Sequence, residues 1–354
     1  MRRVLRTCAL ALAALLAGCA SEPMVMRLDA PAAGSGLYPS PQTQEVPRYR
    51  YLGQLTGEGN FRPRDGASRS PGRRLLALIA GLDERPDQPV VLQRPQTGMV
   101  DATGRVLVTD VSRNAVFVFD EAAGKLDVWE RAALGLRFEA PIGIAAGAAG
   151  EILVADAELA RVFRLAPDGN PRGEFGAGQL VRPTGVVRDA ARGRIFVADT
   201  HAHDIKVFDD AGRLVSTWGK RGDGPGELNF PTHLALSDGM LLVSDSMNAR
   251  VQGFDRTGQP VLAFGRRGVY VGNLVRPKGV AADDEGNLYV VESMHDTLIV
   301  YDREGRLLMS LGGSDGEAGR FYLPSGVWVD SRNRVFVADM FNGRIAVFQF
   351  LGGN

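Results

Sequence analysis

The chain has 354 residues, and its 41 Lys and Arg are balanced by 41 Asp and Glu, for a formal net charge of zero. That balance supplies no net field for a polyanion, so nucleic acid is excluded as a partner. Length alone suggests two or so domains, but all-β folds often run beyond roughly 200 residues as a single one.

At the N-terminus, Arg2, Arg3 and Arg6 form a cationic start, and Cys8 through Ala17 is an unbroken run of small and apolar residues. This is the pattern of a secretory signal peptide over residues 1–18. The run is too short for a membrane span, which takes about 20 apolar residues to cross about 30 Å of hydrocarbon. It is followed by Leu16-Ala17-Gly18-Cys19, which resembles the lipobox of bacterial lipoproteins. The resemblance implies cleavage before Cys19, acylation of Cys19 by chains such as palmitate, and attachment to the membrane through that lipid. Ala20 stands where an Asp would signal retention, which implies the outer membrane of the cell envelope, facing the periplasm or the cell surface.

Cleavage there removes Cys8, so Cys19 becomes the only cysteine of the mature chain and no intramolecular disulfide forms. It also removes three of the 41 basic residues and no acid, leaving 38 against 41 and a formal net charge of −3. The lipid, not a basic patch, is then the anchor. Residues 19–47 carry Pro23, Pro31, Pro39, Pro41 and Pro47 among Ala, Ser and Gly without apolar periodicity. They read as a flexible tether, whose length as a coil is roughly 30 Å.

Residues 48–55 have strand composition, and residues 58–92 follow as an insertion. The insertion carries Arg62, Arg64, Arg69, Arg73 and Arg74 before the apolar run Leu75 to Leu82, where a short helix ending near Gly81 is expected. It would pack over the domain or serve as a lid or docking helix.

From residue 95 the chain repeats with a period of about 46 residues. The repeat starts are Pro95-Gln96-Thr97-Gly98, Pro141-Ile142-Gly143, Pro183-Thr184-Gly185, Pro231-Thr232-His233, Pro277-Lys278-Gly279 and Pro324-Ser325-Gly326. A second strand in each unit ends on an acid: Asp110, Asp156, Asp199, Asp245, Glu292 and Asp339. Stretches such as Arg334 to Val337 and Ile345 to Phe348 are short, β-branched and aromatic, and bounded by turn residues, with no helical period inside a unit. Four short strands per unit make a propeller blade, and six blades must stack in a ring to bury both faces of each. The sixth unit shows only three strands, ending at Phe348 and Phe350. Residues 48–55 resemble the outer strands Leu214 to Gly219 and Val261 to Gly265 and are expected to complete the last blade. The expectation is thus an all-β, six-bladed β-propeller over residues 48–350, closed by an N-terminal strand.

The elements Pro-x-Gly, Val-x-Asp, Asn-x-Arg-Val and Phe-Asp are carried most fully by Pro231 to Gly265, with Asn248, Arg250, Val251, Phe254 and Asp255. This pattern resembles NHL-repeat propellers across residues 93–350, and with the lipobox it is similar to NHL-repeat lipoproteins. The resemblance implies a fold and leaves function to be argued from the site.

If the strands alternate in direction, the Pro-x-Gly starts, the repeat acids and the links from second to third strand share one rim. The repeat acids are expected to fix the following link by accepting backbone N–H bonds. All four histidines, His201, His203, His233 and His295, map to this rim in blades three to five, with Glu292 and Asp296 beside His295. These six residues form the candidate binding face, a possible metal or acid/base cluster. Strand spacing of about 4.8 Å puts the link residues roughly 5 to 10 Å outward of His233, against a shared tetrahedral site. No metal, cofactor or catalytic residue is assigned. The Pro-x-His step is also similar to peptidyl-hydroxyglycine amidating lyases, which hold zinc with histidines of several blades. Only His233 sits comparably, and that activity does not carry over. The leading expectation is a module that binds a protein, peptide or glycan. The alternative is a metal-dependent lyase or hydrolase at the channel mouth around His233.

Overall fold

The computed structural model describes residues 24–30, 36–39, 46–64, 89–312 and 320–352. The signal segment, Cys19, most of the tether and the helix expected near Leu75 to Gly81 lie outside these residues.

Six antiparallel sheets stand in a ring, making an all-β six-bladed propeller with no α-helix among the described residues. Each full blade runs outward in chain order. Blade one is Pro95–Val100, Val106–Asp110, Ala115–Asp120 and Lys125–Trp129. Blade two is Pro141–Ala146, Ile152–Asp156, Arg161–Leu165 and Pro171–Phe175. Blade three is Pro183–Asp189, Arg194–Asp199, Asp204–Asp209 and Leu214–Trp218. Blade four is Pro231–Ser237, Met240–Asp245, Arg250–Phe254 and Pro260–Phe264. Blade five is Pro277–Ala282, Leu288–Glu292, Thr297–Tyr301 and Leu307–Gly312.

Blade six has Val327–Val329, Arg334–Asp339 and Arg344–Phe350 from the C-terminal end of the chain. Along its outer edge runs Tyr49–Leu55, with Ile345 opposite Leu55 and Phe350 opposite Tyr49. The side chains of Tyr49, Tyr51 and Leu55 alternate inward and are buried. The Tyr49 hydroxyl meets that of Tyr289 in blade five at 3.1 Å.

The second and third strands of a blade are buried on both faces, which explains continuous apolar runs such as Ala115 to Phe119 instead of alternation. The apolar residues resolve into six clusters, one between each pair of neighbouring blades, rather than one continuous core. Between blades two and three, for example, Leu153, Ala155 and Phe175 pack against Ile195, Val197 and Phe208.

The tether expected over residues 19–47 is in part bound to the propeller. Met24–Met26 pairs antiparallel with Phe61–Pro63, and Met26 and Leu28 pack on the cluster of Leu55, Phe61 and Phe119. Leu37–Tyr38 adds a fifth strand to blade six, and the Tyr38 and Phe348 rings meet edge to face with centroids 5.9 Å apart. Burial of these few apolar side chains and backbone pairing replace free coil there. The described start of the 58–92 insertion is a turn at Glu58–Asn60, and the buried Asn60 carboxamide ties residues 27, 54, 56 and 57 together.

Candidate functional site

The repeat acids are completely buried, and their carboxylates accept the backbone N–H groups that join one blade to the next. Asp156 takes those of Glu139, Ala140, Glu158 and Leu159 at 2.8 to 3.1 Å. Asp110 likewise holds Gln93, Arg94, Ser112 and Arg113. Glu292 does the same for Val275, Arg276 and Met294, its extra methylene still allowing the contact. These carboxylates, Glu292 included, are occupied with structure.

Four residues beyond each repeat acid the backbone enters the left-handed region: Asn114, Ala160, His203, Ala249, Asp296 and Gly343 all have φ between 50° and 60°. His203 and Asp296 are therefore the same position in blades three and five. Each accepts the backbone N–H 27 residues on, Phe230 to His203 Nδ1 at 3.2 Å and Leu323 to Asp296 Oδ1 at 2.7 Å. Asn, Asp and His tolerate this conformation better than most side chains, so the composition follows from the turn. His203 lies edge-on to the Phe230 ring at 4.5 Å, and burial holds its pKa below the ordinary value. Asp204 beside it pairs with Lys206 at 2.5 Å. His201 is exposed, its ring edge-on to Phe230 at 5.7 Å, and His295 is half-buried in the corresponding link of blade five.

His233 stands apart from these. It lines a central channel cavity of about 350 Å³ formed by the inner strands of all six blades. In blades two, three, five and six the residue at its position is glycine, and in blade one it is Thr97; the glycines are sterically required, since a Cβ on Gly185 would lie 2.6 Å from the carbonyl oxygen of Thr232, and one on Gly143 2.5 Å from that of Thr184. The neighbouring inner strand is that close. At His233 the spacing admits a side chain, whose two ring nitrogens are buried without a hydrogen-bond partner. Burial, with a smaller contribution from the Lys278 charge, pushes its pKa down to about 3, so the imidazole is neutral. Trp328 also lines this cavity, and its buried Nε1–H is likewise unpartnered. At the far end, Arg188 is committed to Asp210 through two bonds of 2.7 Å. Among the described residues, no three His, Cys, Asp or Glu side chains converge as metal ligands would.

Beside the channel mouth, between blades three, four and five, lies a second cavity of about 310 Å³. Its lining includes Phe230, Met247, Arg276 and Lys278. Lys278 holds the middle position of Pro-x-Gly, where the other blades have Gln96, Ile142, Thr184, Thr232 and Ser325. Sequence reasoning passed over it, because a lone lysine reads as surface. The available signal was that it is the one charged residue at a position otherwise held by neutral side chains.

The candidate face therefore separates into parts. The structure brings His201 and His203 together around Phe230, seats Glu292 and Asp296 in backbone stapling, and sends His233 into the channel.

The family described as DUF5128, a 6-bladed beta-propeller, matches residues 180–263. No curated protein matches the chain. Among solved structures, virginiamycin B lyase from Staphylococcus aureus is similar at 15% identity and a TM-score of 0.54, over 73% of this chain and 96% of that one. A gluconolactonase from Xanthomonas campestris is similar at 18% identity and a TM-score of 0.55, over 77% and 92%. An auxiliary nutrient binding protein from Bacteroides ovatus is similar at 14% identity and a TM-score of 0.57, over 73% and 69%. At these identities the likeness extends to the fold: this chain is a six-bladed β-propeller.

Proposed function

We propose that the protein is a binding module of the bacterial cell envelope, attached to the membrane through a lipid on Cys19, that holds a protein, peptide or glycan partner at the channel mouth. The observation that carries the binding half is the pair of buried groups, His233 and Trp328 Nε1, left without partners in one cavity. A buried polar group without a hydrogen bond costs about 1–3 kcal/mol. Both residues line one channel, so a ligand seated there is placed to supply the missing bonds once these side chains turn toward it. The anchoring half rests on the cationic and apolar N-terminus and on Leu16-Ala17-Gly18-Cys19.

The other reading, a metal-dependent lyase or hydrolase, draws on the folds of the lyase and the gluconolactonase. It needs ligands beside His233, and among the described residues none converge.

The test expresses the full chain in a bacterial envelope with cross-linking in intact membranes. Cys19→Ser is expected to move the protein to the soluble fraction, and His233→Leu to lose the cross-linked partner while the fold persists by circular dichroism. Undiminished cross-linking of His233→Leu would refute the site. A melting temperature raised by Zn²⁺ in the unaltered protein but not in His233→Leu would favour the enzyme reading.

A further inference from the structure

The cavity beside the mouth differs from the channel in carrying charge. Lys278 is half-buried, and among the described residues neither it nor the Arg276 guanidinium has an acidic partner or a hydrogen bond. Arg94, which precedes the first Pro-x-Gly as Arg276 precedes the fifth, also has no acid, and lies over the Phe341 ring at 5.3 Å. The third arginine in this sequence position, Arg182, is by contrast paired with Glu158 at 2.6 Å. The Lys278 pKa is held below its ordinary value first by burial and then by Arg276 and Arg94, with no acid acting against them. Two cations line this opening, and a third, Arg94, acts on Lys278 from outside it.

An ammonium withdrawn from water without a counter-charge is costly, and a fold gains nothing from keeping it. The hydroxyls around it are already committed. Thr200 donates to the Pro231 carbonyl at 2.7 Å, Thr232 and Ser246 bond each other at 2.8 Å, and Ser246 donates to the Pro277 carbonyl at 2.5 Å. What the cavity offers a ligand is therefore a mostly apolar wall that includes Phe230 and Met247, with the side chains of Lys278 and Arg276 in its lining as the only cations among the described residues. A cavity of about 310 Å³ with a mostly apolar wall and few convergent polar groups is of small-molecule size.

We infer that this cavity binds a small organic anion, its acidic head on Lys278 and Arg276 and its apolar body along Phe230 and Met247. The inference builds on the reading of this rim as a binding face and adds the class of ligand. The head is a carboxylate or a phosphate, both of which accept several N–H bonds from lysine and arginine. Arg94 contributes long-range attraction.

Isothermal titration calorimetry on the purified full chain tests it with four probes: 4-phenylbutyrate, phenyl phosphate, 4-phenylbutanol and inorganic phosphate. One of the two organic anions is expected to bind, the preferred one identifying the head, while the alcohol and inorganic phosphate bind at least about tenfold more weakly. Lys278→Met is expected to weaken the anion at least about tenfold, and Arg276→Gln to weaken it less. Lys278→Met should also raise the melting temperature, since a half-buried charge without a counter-charge is removed. Failure of both organic anions to bind overturns the site, as does equal affinity in Lys278→Met. Binding of inorganic phosphate as tight as that of the organic anions overturns the apolar part. Should the probes fail while cross-linking in membranes still depends on His233, the anion site alone falls. Should cross-linking fail while the probes bind, the partner reading falls and this site stands.

Discussion

The junction between blades two and three and the junction between blades four and five are built from the same repeat and differ in how completely its polar groups are used. At the first, Gly143 lies against the backbone of Thr184, and Thr184 Oγ1 bonds the Thr200 hydroxyl and the Thr232 carbonyl, each at 2.7 Å. The Thr184 hydroxyl is thereby used within the ring. At the second, His233 replaces the glycine and Lys278 replaces the hydroxyl, and neither finds a partner. The contrast separates two reasons for a residue to be polar on this rim. Polar groups that recur in every blade are consumed in holding the ring, whereas His233 and Lys278 are left over.

The largest expected effect lies on the consumed side. Asp156→Ala removes the acceptor of four backbone N–H groups and should destabilise the protein by about 4 kcal/mol, measured by urea unfolding. Asp156→Asn, which keeps an acceptor oxygen, should cost clearly less. A loss below about 1 kcal/mol in Asp156→Ala would remove the stapling role.

Next comes the steric half of the comparison. Gly185→Ala places a Cβ 2.6 Å from the Thr232 carbonyl oxygen, and the neighbouring inner strand must move. The cost should be about 2–3 kcal/mol, in the range of an overpacked core. His233→Gly restores the repeat instead and should change stability by less than about 1 kcal/mol, since relief of two unpartnered nitrogens offsets the lost packing and the glycine entropy. Equal losses in the two variants would mean that blades four and five are packed like the rest.

A pH titration sharpens the same point. The His233 pKa is depressed in the folded protein to about 3 from 6.5, chiefly by burial. Below pH 6.5 the unfolded chain takes up a proton that the folded one refuses. The stability from this group is complete above that pH and drains away as pH falls toward the folded value. The slope approaches about 1.4 kcal/mol per pH unit. His233→Gln should flatten this part of the profile between pH 6 and about 4 in chemical unfolding. His203, also depressed by burial, leaves a smaller residual slope. An unchanged profile in His233→Gln would place the imidazole in water.

How far these features were legible from the sequence depends on whether the period carries them. Six recurrences of the starting proline and of the acid, with the glycine in four units, make the blade count readable, because packing between blades demands the same carboxylate each time and, at most junctions, the same glycine. The strand propensity of residues 48–55 is readable for the same reason: they repeat the pattern of the other outer strands. Met24–Met26 and Leu37–Tyr38 are two or three residues long, and only the surface they land on makes them strands. Lys278 is invisible to composition, since its meaning lies in what does not surround it. The histidines misled by their rarity. Four on one rim suggested a cluster, yet His203 answers to the geometry of its turn.

That last distinction gives the smallest and most pointed test. His203 and Asp296 do one job in two blades, holding the amide of the residue before the next blade's proline, so their substitutions should act alike. His203→Ala and Asp296→Ala should each cost about 1 kcal/mol, the value of one hydrogen bond plus a strained left-handed residue, while His201→Ala, exposed beside Phe230, should stay within about 0.5 kcal/mol. His203→Asn tolerates the left-handed backbone and offers a carbonyl acceptor, and should recover much of the loss. If the three histidines of blades three and five instead acted as a ligand set, His201→Ala and His295→Ala would cost as much as His203→Ala once partner or metal was added. Thermal unfolding with and without added Zn²⁺ distinguishes the two cases, and the turn geometry predicts that the difference stays tied to position 203.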